Sequence, residues 1–184
     1  KVISLCSKAL DPMRVIDGLV QINKSDSWDS FNEGIELINA PALNFVYADK
    51  DGNISLFVTG KVPIRKKGDG SLPVSGWDGK HDWSDEIPIN HMPKTINPNK
   101  GYIISCNNKI IDDTYPYFLG NLFMNGYRAN RIEAVFKQYD IITLDICESL
   151  HMDLYSIPAK TFIDGMIRGF RTAKPQIQEI IDIL

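Results

Sequence analysis

The sequence predicts an α+β fold, and three patterns predict it. Apolar residues recur at helical spacing in the first forty residues, alternate with polar ones between residues 41 and 65, and return to helical spacing in the last third. The intervening stretch is rich in Pro and Gly. The chain of 184 residues therefore reads as a single segment in four parts: 1–40 a helical pair, 41–65 a central hairpin, 66–110 loops and short strands, and 111–184 helices. No internal repeat interrupts that order.

The first helix is expected from Asp11-Pro12, an N-cap followed by Pro at the first helical position, with Val15, Ile16, Leu19 and Val20 as its apolar stripe. Lys24 to Asp26 is the turn. Ser27 caps a second short helix carrying Trp28, Phe31, Ile35 and Ile38, with Trp28 as anchor, and Pro41 ends the pair. In the hairpin, Leu43 to Ala48 is aromatic and β-branched, and Asp51-Gly52 is a two-residue turn signal. Beyond it, Ile54, Leu56 and Val58 alternate with Ser55, Phe57 and Thr59, the period of a half-buried strand. That turn opposes Tyr47 to Leu56, Phe45 to Val58, and Asn44 to Thr59 at the open end, on the other face.

From Pro63 to Gly101 the chain is expected to form a long ordered loop or several short strands. Trp77 and Trp83 read as plugs that hold it down, or as the lining of an aromatic pocket. Gly101 to Cys106 reads as a strand left through Asn107-Asn108. Ala129, Ile132, Val135 and Phe136 mark one helix. Thr143 caps the next, with Ile146, Cys147, Leu150 and Leu154 inward and His151 at a core edge. Pro158 interrupts before a helix over Phe162 to Phe170, and Ile177, Ile180, Ile181 and Leu184 line a last one from Pro175.

A net charge of −3 with scattered basic residues gives no electrostatic case for nucleic acid, Arg65-Lys66-Lys67 being the only short basic run. No apolar run reaches the ~20 residues of a membrane helix. Cys6, Cys106 and Cys147 are too far apart for a metal cluster and read as buried small hydrophobes. His81, His91 and His151 form no metal pattern. Asp49-Lys50-Asp51-Gly52-Asn53 alternates oxygen ligands, yet Ile54 and Gly60 stand where a calcium loop needs Gly and Glu, so a turn is expected. Arg128 and Arg131, one helical turn apart, suit a carboxylate or a structural ion pair. The start, Lys1-Val2-Ile3-Ser4-Leu5, has no initiator Met and no signal peptide, and reads as cut from the interior of something longer.

Three ordered blocks carry a family resemblance: Leu43-Asn44-Phe45-Val46-Tyr47-Ala48-Asp49-Lys50-Asp51-Gly52-Asn53, then Thr59-Gly60-Lys61-Val62-Pro63-Ile64-Arg65, then the run from Gly68 to Gly79. With Ile87-Pro88, Met92-Pro93, Asn97-Pro98, Tyr115 to Gly120 and Gly126-Tyr127-Arg128 they resemble the penicillin acylases, which are N-terminal-nucleophile hydrolases. The resemblance spans roughly residues 28 to 160. It implies part of a four-layer αββα sandwich, and an enzyme that cleaves the amide between an acyl group and an amine through an acyl-serine intermediate. Asn44 matches the family's oxyanion-binding asparagine, and Arg65 matches an arginine placed near the active site. Neither Ser4 nor Ser7 has the context of the family's nucleophile. The resemblance therefore implies that an upstream segment of the same precursor supplies it, that the small subunit is a further partner, and that this segment alone is inactive. It also implies a small-molecule acyl amide substrate, no cofactor for catalysis, a structural calcium with ligands not placed on this chain, and an extracytoplasmic location. The rival readings are a non-catalytic module that binds ligands through exposed tryptophans, and a structural homologue without a nucleophile.

Overall fold

The computed structural model describes residues 2–169, 178–180 and 183, and divides into one unit up to Phe123 and a second from Met124. In the first unit two helices, α1 (Val15–Lys24) and α2 (Trp28–Glu36), precede β1 (Asn44–Ala48), β2 (Ile54–Val58), β3 (Pro63–Arg65), β4 (Trp83–Glu86) and β5 (Lys94–Ile96). The strands form an antiparallel sheet in the order β1-β2-β5 and a separate antiparallel pair β3-β4. The stretch from Pro63 to Gly101 thus supplies three short strands, with a long irregular loop over 66–82 between the first two of them.

Helix α2 begins where its cap places it. Ser27 Oγ accepts from the Ser30 N–H, and the Ser30 hydroxyl accepts from the Ser27 N–H in return. Phe31 and Ile35 are buried on its inner face, and Ile38 is buried just beyond its end. Trp28 packs edge-on against Tyr47, with ring centroids 5.2 Å apart, and Phe31 packs on Tyr47 at 4.8 Å. These aromatics join Phe57, Val58, Ile87 and Met92 in the core.

Helix α1 differs from expectation. It starts at Val15 after Arg14, and Asp11 instead closes a short 3-10 turn over Lys8–Leu10. Its stripe of Ile16, Leu19 and Val20 is exposed; the buried residue is Gly18. A Cβ on Gly18 would lie 2.7 Å from the Gly34 carbonyl oxygen, and one on Gly34 would lie 2.8 Å from Ile22 Cγ1. Close approach of two backbones, rather than an apolar stripe, decides which side of α1 faces α2.

The hairpin register also differs, by one residue. Asn44 pairs with Val58, Phe45 with Phe57, Val46 with Leu56 and Tyr47 with Ser55, not with the partners that a two-residue Asp51-Gly52 turn would give. The connection is the loop Asp49–Asn53. Asp49 Oδ1 accepts from the N–H groups of Asp51 and Asn53, and its Oδ2 accepts from the Asn53 amide and the Tyr47 hydroxyl. The Asp49 N–H closes on the Asn53 carbonyl at 3.0 Å. Gly52, at φ 87°, still supplies the positive φ inside that loop. β2 is not half-buried: Ser55, Leu56, Phe57 and Val58 are all buried, because β2 is the central strand with cover on both faces.

Other expectations change too. Gly101 to Cys106 is irregular rather than a strand, and Asn107 beyond it takes a left-handed φ of 60°. Trp77 is 87% exposed and plugs nothing, whereas Trp83 sits half-buried in β4 under the Lys8 ammonium. Cys6 is exposed, Cys106 buried and Cys147 half-buried.

The second unit contains α3 (Tyr127–Phe136), α4 (Leu144–His151) and α5 (Ile157–Gly169). Thr143 caps α4 as expected, its Oγ1 accepting from the Ile146 N–H. Leu154 lies past the helix and is exposed, and so is His151. Pro158 stands in the first turn of α5, where its missing N–H costs no helical bond. Phe170, Pro175, Ile177, Ile181 and Leu184, assigned above to helices, lie outside the described residues. Among the described residues no helix is long and apolar enough to cross a membrane.

Hydrogen bonds from the Asn53 amide and backbone, then from Tyr47 and Asp51, hold the Asp49 carboxyl below the usual carboxylate range. A depressed carboxyl adds stability that is present above the unfolded value of about 3.9 and disappears as pH falls through the folded value. Asp49→Asn should therefore lower the melting temperature at pH 7, with the gap to wild type closing below about pH 4. Melting curves between pH 2 and 7 check this, and a gap constant over that range refutes it. Gly34→Leu should destabilise by about 1–3 kcal/mol or more in urea unfolding, as overpacking does, while Ser55→Ala should be near neutral. The Ser55 hydroxyl is buried with no partner among the described residues, so removing it leaves nothing unsatisfied.

Candidate functional site

The site is assembled at the open end of the hairpin. Thr59, fully buried, follows β2 directly. Its N–H donates to the Leu43 carbonyl at 2.8 Å, and its Oγ1 accepts from the Leu43 N–H at 3.1 Å. In a regular ladder the Thr59 carbonyl would accept that second bond; here the side chain does. Gly60 then turns the chain at φ 103°, and a Cβ there would lie 2.9 Å from Ala42. The residue after Leu43 is Asn44, so its backbone position is set by these contacts.

Alternation along β1 places Phe45 and Tyr47 toward the helices and Asn44, Val46 and Ala48 on the opposite face, as the sequence reading expects. Asn44 is exposed there. Its Nδ2 does not meet Thr59 but donates to Ser105 Oγ at 2.9 Å. Ser105 comes from the irregular stretch after Gly101 and was not legible as a partner, since sixty-one residues separate the two. The same face of the sheet carries, at Leu56, a hollow of about 360 Å³ lined also by Pro93, Thr95, Ile110 and Tyr115.

The bend at Gly60 carries the chain out of the β1-β2-β5 sheet into β3, whose last residue is Arg65. The half-buried Arg65 guanidinium lies over the Phe118 ring, 5.9 Å from its centroid, and against Gly70, where a Cβ would lie 3.2 Å from Nε. It has no carboxylate partner among the described residues. No hydrogen bond or ion pair joins Arg65 to Asn44; the structure brings Asn44 to Ser105, and Arg65 to Phe118.

The other groups singled out in the sequence are structural. Arg131 donates from Nε and Nη2 to the Asp153 carboxylate, at 3.1 and 2.6 Å to Oδ2, and stacks on Tyr155. The arginine holds the Asp153 carboxyl below the usual range. His91 Nδ1 lies 2.7 Å from the Tyr117 hydroxyl. Asp49 does not fit calcium: both of its oxygens are taken by hydrogen bonds within the loop. Among the described residues no group of three or more His, Cys, Asp or Glu is placed to hold a metal ion.

The family model for penicillin amidase matches residues 1–184. The chain is 35% identical over 113 residues to penicillin acylase 2 proenzyme of Pseudomonas sp. strain SE83, covering 61% of this chain and 15% of that one. It is 34% identical over 125 residues to penicillin G acylase of Escherichia coli, covering 66% of this chain and 14% of that one. Similarity to the acyl-homoserine lactone acylase QuiP of Pseudomonas fluorescens is 32% over 133 residues, 72% of this chain and 16% of that one. The solved structure of a thermostable penicillin G acylase from Alcaligenes faecalis superimposes with a TM-score of 0.71 at 22% identity, covering 88% of this chain and 29% of that chain. The chain thus spans about a sixth of the length of the curated relatives it matches, and its fold is that of an N-terminal-nucleophile hydrolase.

Replacing Thr59 with Val keeps the shape but leaves the Leu43 N–H without its acceptor. The cost should be about 1–3 kcal/mol, read by urea unfolding. A loss below about 0.3 kcal/mol would show that the strand end is held otherwise.

Proposed function

The chain belongs to the penicillin amidase family, and on that premise we propose that it is the part of an acylase that binds the oxyanion, while a serine on another segment of the same precursor attacks. The complete protein hydrolyses the amide between an acyl group and an amine. The serine oxygen adds to the amide carbonyl as its proton passes to the freed α-amine of the same residue, usually through a water. The C–N bond then breaks, the amine leaves with a proton, and water hydrolyses the acyl-serine. Alone, the segment is inactive. No cofactor takes part, and the extracytoplasmic location implied by the family stands as part of this reading.

Asn44 is the observation that carries it. One N–H of its amide is spent on Ser105, which fixes the direction of the group, and the other has no acceptor among the described residues. A neutral amide donates to an oxyanion without protonating it. Held on a strand, it needs no reorganisation as charge develops. Arg65 acts as a supporting cation: the ring of Phe118 balances its charge without the neutralisation that a carboxylate would bring.

In the full-length protein, Asn44→Ala should fold and lower kcat by about 10²–10³, the usual cost of one oxyanion donor. Hydrolysis of a panel of N-acyl amides, with the acyl-enzyme followed by mass spectrometry, measures it. Near-normal turnover refutes the assignment. Ser105→Ala should lower kcat by less and leave KM nearly unchanged, and should have no further effect in the Asn44→Ala background. An independent loss there would mean that Ser105 acts on something other than Asn44.

A further inference from the structure

Asparagine precedes glycine at a single place in the sequence, Asn125-Gly126, immediately before α3. Gly126 is the residue that opens the helix, at φ −77° and ψ 2°, and it has no side chain to cap with. Asn125 does that work instead: its Oδ1 accepts from the Tyr127 N–H, at a long 3.4 Å. The bond keeps the amide on the C-terminal side of Asn125, where the Gly126 nitrogen is next in line. It is the one hydrogen bond of the Asn125 side chain among the described residues. The Gly126 N–H donates to no backbone group among them, and Asn125 is exposed. The acidic residues that precede glycine outside helices are held differently. The Gly52 N–H after Asp51 is bound to the Asp49 carbonyl. The Asp69 oxygens accept from Ser71 and Asn121, and Asp78 accepts from the Lys80 N–H. An ionised carboxylate also repels a nucleophile, which a neutral amide does not.

We infer that Asn125-Gly126 is a site of spontaneous modification in the folded protein, where the side-chain amide is lost through a cyclic imide. The Gly126 backbone nitrogen gives its proton to solvent base and attacks Asn125 Cγ. The N–Cγ bond forms, the Cγ–Nδ2 bond breaks, and the amide nitrogen leaves as ammonia with a proton from water. A second water opens the imide. Opening at the Cγ carbonyl gives aspartate; opening at the main-chain carbonyl gives isoaspartate, with the chain routed through Cβ and Cγ. Nothing is oxidised or reduced, and water is the only co-reactant. Glycine permits the ring to close because no Cβ stands beside the attacking nitrogen and its backbone is free to turn. The two products differ for α3. Aspartate keeps an acceptor for the Tyr127 N–H and brings a negative charge to a helix N-terminus whose first turn has none. Isoaspartate lengthens the main chain ahead of the helix and carries the cap away from Tyr127. Ageing therefore splits the protein into one population with α3 better capped and one with it uncapped.

The test is incubation of the full-length wild-type protein at mildly alkaline pH, folded and in urea. Peptide mapping by mass spectrometry that separates isoaspartate from aspartate follows each asparagine. In the folded protein position 125 should convert ahead of every other asparagine, to both products, and faster as pH rises. Gly126→Ala should slow the conversion at least about tenfold, because it restores the Cβ beside the nitrogen. That variant should fold: the φ of Gly126 suits any residue, and the added Cβ would come no closer than 3.6 Å to the Asn130 side chain. An amide at position 125 that survives in the folded protein and converts only in urea would overturn the inference, since the fold would then protect the pair. Equal rates in wild type and a folded Gly126→Ala would overturn it too. Catalytic activity is not read, so the outcome is independent of the role proposed for Asn44.

Discussion

The contact between Leu43 and Thr59 is the constraint on which the site depends. A threonine hydroxyl with no solvent access does what a ladder carbonyl would otherwise do, accepting the Leu43 N–H while the Thr59 N–H closes the pair. Gly60 then turns where a side chain would strike Ala42. Two consequences follow from one junction. The strand entering at Asn44 is held at its first residue, and the chain leaving at Gly60 is sent into a second sheet that ends on Arg65.

The hairpin shows how far local pattern reaches. Alternation alone places Phe45 and Tyr47 on one face and Asn44 on the other, and that holds, because the helices bury aromatic area on one side only. Register does not follow from alternation. It is decided by the turn, and the Asp51-Gly52 signal loses to the Asp49 side chain, which gathers four donors and lengthens the loop. A carboxylate competing with the backbone for N–H groups is visible in the sequence as an Asp at the head of a turn. Its victory over a two-residue turn depends on Tyr47 and Asn53 arriving together. The error moves each partner by one while leaving the faces of β1 intact, and so the residue singled out for chemistry stays on the outward face.

Helices divide in the same way. Those with a polar cap and an apolar stripe, α2 and α4, were legible because Ser27 and Thr143 meet the first free N–H groups locally. α1 was not, because its buried side is defined by the absence of a side chain at Gly18 and Gly34, and hydrophobic periodicity has no term for that. The site was legible in the sequence only through Asn44, placed by an ordered series of motifs that resembles the penicillin acylases. Ser105, which fixes the Asn44 amide, lies in a stretch with no periodicity, and its role exists only because tertiary folding brings it to the strand.

Once β1 is in place, its sides carry separate demands. The inward side chains, Phe45 and Tyr47, belong to the core, and their backbone groups are bound to β2. The residues between them owe the core nothing: Asn44, Val46 and Ala48 are all exposed, and their backbone groups turn outward. On the proposed reading, a substitution at Asn44 therefore touches an electrostatic function without touching packing, whereas one at Phe45 touches packing. That separation is what a donor amide needs. An oxyanion donor of the kind proposed must have its direction held by the fold, yet its own contacts must stay few enough that one N–H is left for a transient charge.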